Sequence, residues 1–125
     1  MNVTVFHREA AAGQWQRLDV MDQLGNVGTE VARAARAKIA GNDGRFLNAL
    51  MRALELFDLT IADSRWSGHR RREICRAREV CCDFLVGDNT YGSTAESLDR
   101  YFLPFAVAAR RVNLVTTRPD GAKEP

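Results

Sequence analysis

The amino-acid sequence predicts an all-α protein that folds as a four-helix up-and-down bundle, with a kinked or broken last helix and disordered termini. Four stretches carry apolar residues at steps of three and four, which is the spacing of one face of a helix. Short turn sequences separate these stretches, and short links place consecutive helices side by side and antiparallel. The 125 residues, 46% hydrophobic and 27% charged, suffice for one domain with its own core.

The first helix is predicted over residues 14–40. Its apolar residues are Leu18, Met21, Leu24, Val27, Val31 and Ile39. Gly25 and Gly28 lie within it, and each costs a helix roughly 1 kcal/mol relative to alanine. With Ala32 and Ala35 they form a face of small side chains that lets another helix approach closely. That neighbour is either helix 4 or a second copy of the chain, and a break of the helix near Gly25 is the alternative.

The second helix follows a short link. Gly41 supplies the left-handed residue that ends helix 1, and Asn42 and Asp43 supply a cap for helix 2. The predicted core face of helix 2 contains Phe46, Leu50, Leu54, Phe57 and Ile61, widened by Leu47, Met51 and Leu59.

The third helix follows the turn over residues 63–68, in which Ser67 is the predicted cap and Trp66 is expected to cover the end of the bundle. It runs to about Val86. The residues that it is predicted to bury are Ile74, Ala77, Cys81 and Phe84.

The fourth helix opens with the capping box formed by Ser93 and Glu96. Its inner face is predicted to contain Leu98, Tyr101 or Phe102, Phe105, Ala108 or Ala109, and Val112. Pro104 lies inside this pattern, where it lacks a backbone donor and clashes with the preceding turn. A kink at Pro104, or a division into two shorter helices, is therefore expected.

The bundle domain is predicted over residues 14–115, between a flexible arm over residues 1–13 and a disordered tail over residues 116–125. The arm does not resemble a secretory signal, and no stretch has the roughly 20 apolar residues that cross a bilayer. Cys75, Cys81 and Cys82 are odd in number and share one helix, which does not fit a disulfide framework. A cytoplasmic location and packing of these cysteines in the core are expected.

Helix 3 carries the most distinctive feature of the sequence, a cluster of arginines. The candidate ligand-binding residues are Arg70, Arg71, Arg72, Arg76 and Arg78, with Arg65 and His69 beside them. Guanidinium groups bind phosphates, so the cluster is typical of a site for RNA or a phosphate-bearing ligand. The alternative, which we favour, is that these side chains pair with carboxylates and cover the core with their stems. The net charge of +2 is too small to indicate a polyanion partner by itself.

Carboxylates beside the apolar stripes form a second candidate group, because a charge at the edge of a buried face needs a partner. The candidates for a polar network are Glu30, Asp58, Glu79, Asp83 and Tyr91. Inward carboxylates can hold a di-metal centre, but that centre usually requires Glu-x-x-His on two helices. Neither His7 nor His69 follows a glutamate at that spacing. No metal and no cofactor is therefore expected.

Motifs of nucleophilic catalysis and of phosphate loops do not occur, since the sequence has neither G-x-S-x-G nor a P-loop. Arg65 and His69 resemble the arginine and histidine signature of the HEPN ribonucleases, which are helical bundles of this size. Three residues separate the pair here, fewer than in that family, so no catalytic residue is assigned.

Four strings between Leu24 and Arg110 carry a second resemblance. They are LGNVGTEVARA, ALELFDLTI, RRREICRAREVCCDFL and YGSTAESLDRYF. They are similar to a family of short prokaryotic helical proteins without an assigned activity. This resemblance implies the bundle and no particular chemistry.

The sequence thus predicts a non-catalytic cytosolic interaction or regulatory module that forms a homo-oligomer, most simply a homodimer, and binds a protein partner that the sequence does not identify. The alternative is RNA or phosphate-ligand binding through the arginines of helix 3, in a relative of the HEPN ribonucleases. No membrane association is expected.

Overall fold

The computed structural model describes residues 13–116, with side chains up to Arg111. A short 3-10 helix, Trp15–Arg17, precedes four helices: α1 (Val20–Ala40), α2 (Asp43–Ile61), α3 (His69–Leu85) and α4 (Ala95–Thr116). No strand occurs in this part of the chain, and the predicted all-α fold class is confirmed. The predicted arm over residues 1–13 and tail over residues 116–125 lie, except for their innermost residues, outside the described part.

The centre of the bundle is α1. It packs along α2 on one side and along α4 on the other. The third helix packs mainly against α2 and less extensively against α1, and α3 and α4 have fewer close approaches than any of these pairs. Leu24, Phe57 and Ile74 are fully buried in the main core. The bundle is therefore less closely packed between α3 and α4 than on either side of α1.

The start of α1 differs from the predicted one. The helix begins at Val20 rather than at Gln14, because Asp19 caps it and accepts a hydrogen bond from the backbone N–H of Asp22 at 2.9 Å. Its end agrees with the prediction, since Gly41 has a left-handed φ of 73°.

The glycines of α1 form its contact with α4. The helix is continuous through Gly25 and Gly28, so the alternative of a break near Gly25 is wrong. A Cβ on Gly28 would lie 2.5 Å from the Cβ of Phe102, and a Cβ on Gly25 would lie 3.2 Å from the Cα of Ala106. The small side chains therefore let α4 approach closely, and α4 rather than a second copy occupies this face.

The buried face of α2 is rotated relative to the predicted one. Its buried residues are Ala49, Leu50, Ala53, Leu56, Phe57 and Thr60. Leu47 and Met51, predicted to widen the core face, are 56% and 44% exposed. Ala49 packs in one cluster with Ala34 and Ala35 of α1, so small side chains form part of the contact between these helices.

The third helix buries Ile74, Ala77 and Cys81 as predicted. Phe84 is only partly buried, because the adjacent Leu85 takes the core position instead. Cys75 is exposed and does not pack in the core, which corrects the prediction for this cysteine, and all three thiols are free.

The caps of α3 and α4 are each displaced by one residue from the predicted ones. Gly68, not Ser67, is the N-cap of α3, and it offers no side-chain acceptor. At the start of α4, the backbone N–H of Ser97 donates to the Thr94 hydroxyl and the backbone N–H of Thr94 donates to the Ser97 hydroxyl, both at 2.9 Å. Thr94 and Ser97 therefore form the reciprocal cap that was predicted for Ser93 and Glu96.

The fourth helix continues across Pro104, so its division into two shorter helices is wrong. Leu98, Phe102 and Ala109 are buried on its inner face, and the side chain of Val112 lies outside the described part. Among the described residues, no helix combines the length and the apolar character that a membrane crossing requires.

Candidate functional site

A groove lies between α3 and α4, and we refer to it as the α3–α4 groove. It has a volume of about 240 Å³ and is lined by Glu73, Arg76, Ala77, Val80, Cys81, Ser93, Ser97, Leu98 and Tyr101. Its floor is apolar, because Ala77, Cys81 and Leu98 are buried and Val80 is half-buried. The third helix presents only small side chains at positions 77 and 81, which leaves room between the two helices.

One edge of the groove is formed by Glu73 and the two side chains that hold it. Nη1 of Arg70 lies 2.8 Å from Oε1 of Glu73, and the Tyr101 hydroxyl donates to Oε2 of Glu73 at 3.3 Å. Burial, followed by the negative charge of Glu73, raises the pKa of Tyr101 to about 12. The Tyr101 phenol therefore keeps its proton, and its role as hydrogen-bond donor, at an alkaline pH at which an ordinary tyrosine ionises.

A second cavity shares the lining residue Glu73 with the groove, and we refer to it as the basic cavity. It has a volume of about 670 Å³, and in the described part of the chain His69, Arg70, Arg72 and Glu73 line it. Nη2 of Arg72 lies 3.4 Å from Nδ1 of His69. Because His69 is the first residue of α3, both arginines stand in its first turn. The apolar groove thus opens beside a pair of guanidinium groups.

The five candidate arginines do not form one continuous surface. Arg70 points towards Glu73 at the groove, whereas Arg78 points towards α2, where its Nε donates to Oδ1 of Asp58 at 3.1 Å. Nε of Arg71 is buried and has no hydrogen-bond partner in the described part of the chain. The arginines are therefore spread around α3, as expected for consecutive residues that each turn by about 100°.

Three of the predicted network residues, Glu79, Asp83 and Tyr91, come together where the loop after α3 folds back onto that helix. The Tyr91 hydroxyl donates to Glu79, and this bond is the main cause of the raised pKa of Tyr91. Asp83 accepts hydrogen bonds from the backbone N–H groups of Thr90 at 2.9 Å and of Tyr91 at 3.1 Å. The guanidinium of Arg76 lies over the Tyr91 ring, 5.2 Å from its centroid. Because Arg76 also lines the groove, its contact with Tyr91 holds the loop after α3 next to the groove.

The other two predicted network residues lie elsewhere. Glu30 of α1 is 8% exposed, and its Oε2 lies 3.2 Å from Nη1 of Arg33. Oε1 of Glu30 has no hydrogen-bond partner among the described residues. Asp58 is exposed and binds Arg78. Neither carboxylate lines the α3–α4 groove or the basic cavity.

The sequence interpretation missed a buried polar network at the end of the bundle where α1 begins. Gln23 is fully buried, and its Nε2 donates to the backbone oxygen of Trp15 and to Oδ2 of Asp63, both at 3.0 Å. Nε1 of Trp66 donates to Oε1 of Gln23 at 2.6 Å. The sequence signal for this network was Gln23 itself, a polar residue on the apolar face of α1 that lies along the chain between Trp15 and Trp66. Each polar group of Gln23 has a partner, so the network stabilises the fold.

Two groups with catalytic potential, the guanidinium of Arg65 and the thiol of Cys81, are paired or buried. Arg65, the arginine of the HEPN-like pair, binds Asp63 with Nη2 at 2.7 Å and the backbone oxygen of Leu18 at 2.5 Å, so it faces the bundle end. Burial, followed by the proximity of Cys82, raises the pKa of Cys81 to about 12, which disfavours the reactive thiolate. Within residues 13–116, no group of three or more His, Cys, Asp or Glu side chains is placed to hold a metal ion.

Comparison with known proteins finds no matching family model, no similar curated protein and no similar solved structure.

Proposed function

We propose that the protein is a non-catalytic binding module that takes an apolar group of a partner molecule into the α3–α4 groove. The observation that supports it is the groove itself, with a floor of apolar side chains and an edge of charged and hydroxyl groups. Binding sites typically combine an apolar lining with a few placed polar groups. A volume of about 240 Å³ is below the roughly 300–1,000 Å³ of sites for drug-sized ligands, so a small ligand or one apolar group of a larger partner fits best.

The walls of the groove support binding because they are held in place before a partner arrives. Arg70 and Tyr101 fix Glu73 on one edge. On another edge of the groove, Arg76 lies over the ring of Tyr91, and the Tyr91 hydroxyl donates a hydrogen bond to Glu79. A preformed site lowers the cost of ordering side chains on association.

Assembly as a homo-oligomer in the cytoplasm belongs to the same proposal. Leu47 and Met51 of α2 are exposed apolar side chains one turn apart, and such surfaces are candidates for contact with another chain. The three free thiols support a reducing compartment.

Binding of RNA or a phosphate ligand through the arginines, the alternative from the sequence, has less support. Arg70 and Arg78 are paired with carboxylates, and Arg76 lies over Tyr91. A polyanion would have to compete with these internal partners.

The test is binding of N-phenyl-1-naphthylamine, an uncharged fluorescent probe that brightens in apolar surroundings. Val80 lines the groove, so Val80→Trp places a large ring in the space that the probe would occupy. We expect the probe to brighten with the wild-type chain and its affinity to fall more than about tenfold in Val80→Trp, equivalent to about 1.4 kcal/mol.

The matched control is Val86→Trp, the same change at a 60% exposed residue at the end of α3 that does not line the groove. It is expected to bind the probe like the wild type. Circular dichroism of both variants shows whether they are folded. Equal loss of binding in two folded variants, or no loss in either, would place the apolar site elsewhere.

A further inference from the structure

The chemical class of the ligand follows from the two adjoining cavities. We infer that the α3–α4 groove binds a small amphipathic anion, an apolar chain or ring that ends in a carboxylate. This inference rests on the proposed function, because it requires that the groove take an apolar group.

The basic cavity lies beside the end of the groove where α3 begins. The two share the lining residue Glu73, so the charged end of a ligand in the groove would lie beside the arginines of the basic cavity. Apolar atoms would lie against Ala77, Val80 and Leu98, and the charged end would lie at the first turn of α3.

The side chains that line the basic cavity carry a net positive charge. In the described part of the chain, two arginines and one glutamate line it, together with His69. Glu73 already binds Arg70 and Tyr101, whereas the Arg72 guanidinium lies beside the His69 ring. A carboxylate suits the fork of donors on a guanidinium, and a cationic end would be repelled there.

The volume of the groove limits the size of the ligand. A methylene group takes up about the volume of a water molecule, roughly 30 Å³. The groove of about 240 Å³ therefore has room for a short chain of about eight carbons or for one aromatic ring system. Longer chains would extend into solvent and gain no further contact.

The experiment is a titration of the full ¹⁵N-labelled chain, followed by two-dimensional NMR, with three ligands that share an eight-carbon chain: octanoate, 1-octanol and octylamine. We expect octanoate to bind about tenfold or more tightly than 1-octanol, and octylamine to bind most weakly. Added salt should weaken the binding of octanoate and leave the binding of 1-octanol unchanged, because salt screens the exposed charges of the protein and the ligand. Hexanoate should bind about fifteenfold more weakly than octanoate, from about fourfold for each methylene lost.

The variants separate the two parts of the ligand. Arg72→Gln should remove most of the advantage of octanoate over 1-octanol and leave the affinity of 1-octanol unchanged. Arg111→Gln, the matched change at an exposed arginine of α4, should change the affinity of neither ligand. Val80→Trp should weaken all three ligands, and the dispersion of the NMR spectrum reports whether each variant is folded.

The outcomes distinguish this inference from the proposed function. If octanoate and 1-octanol bind equally and Val80→Trp removes both, the groove binds apolar groups and the inferred anion is wrong. If octanoate binds but is insensitive to Val80→Trp, its site is not the groove and the inference fails. If none of the three ligands binds and N-phenyl-1-naphthylamine does not brighten, both the inference and the proposed function fail.

Discussion

At the scale of single residues, the stability of the bundle end depends on Gln23. Gln23→Leu keeps a similar volume but leaves the Trp15 carbonyl and the Trp66 indole N–H without their partner. Each buried polar group without a partner costs about 1–3 kcal/mol, so we expect the free energy of unfolding to fall by about 2–4 kcal/mol. Urea denaturation measures this change.

The control for this variant is Gln16→Leu, the same substitution at an exposed position of the short helix before α1. Its free energy of unfolding should stay within about 0.5 kcal/mol of the wild type. Similar small effects of the two substitutions would mean that water satisfies the groups around Gln23, and that the network contributes little.

The residues of the core could be predicted where an apolar side chain recurs at helical spacing. Phe57, Ile74 and Cys81 are buried for this reason. Gln23 could not be predicted in the same way, because a polar side chain is counted against the core. Its partners are 8, 40 and 43 positions away along the chain, and periodicity within one helix contains no information about them.

At the scale of elements, the contact between α1 and α4 depends on Gly28. Gly28→Ala would place a methyl group 2.5 Å from Cβ and 2.7 Å from Cγ of Phe102, so the two helices would have to move apart. We expect a loss of about 1–3 kcal/mol in the free energy of unfolding, as for other overpacked positions.

Gly44→Ala is the matched control in α2. A Cβ on Gly44 would meet only Oδ1 of Asn42, at 3.9 Å. This variant should gain about 0.5–1 kcal/mol, because alanine loses less backbone entropy than glycine in a helix. A stability gain in both variants would show that α4 does not depend on close approach to α1.

The elements themselves were predictable, but their faces and caps were predicted only in part. Turn residues located the links, and Gly41 ended α1 as expected. The caps moved by one residue, because Ser67 and Gly68, or Ser93 and Thr94, are adjacent candidates that local sequence does not separate. The apolar residues of α2 extend around more of the helix than its neighbours cover. Which part is buried depends on where α1 and α3 lie.

At the scale of the whole molecule, the number and order of the helices follow from the sequence, and the α3–α4 groove does not. It depends on how far two helices stand apart, which is set by the close fit of α1 with α2 and α4. The arginines of the basic cavity were predicted as ligand-binding candidates, but as one cluster of five. The fold places Arg70 and Arg72 at one cavity and directs Arg78 to Asp58 of α2.

The exposed apolar side chains bear on the assembly of the whole molecule. The glycine face of α1 is covered by α4, so the proposed homodimer needs another surface, and Leu47 and Met51 of α2 offer one at 56% and 44% exposure.

Light scattering of the wild-type chain should give about twice the 14.0 kDa of one chain. Leu47→Lys combined with Met51→Lys should return it to a monomer, because the interface would have to bury charges. Leu103→Lys combined with Val107→Lys makes the matched change on exposed residues of α4 and should leave the dimer intact. A wild-type mass of 14.0 kDa at every concentration would contradict the homodimer, and a dimer that survives the α2 change would place its interface elsewhere.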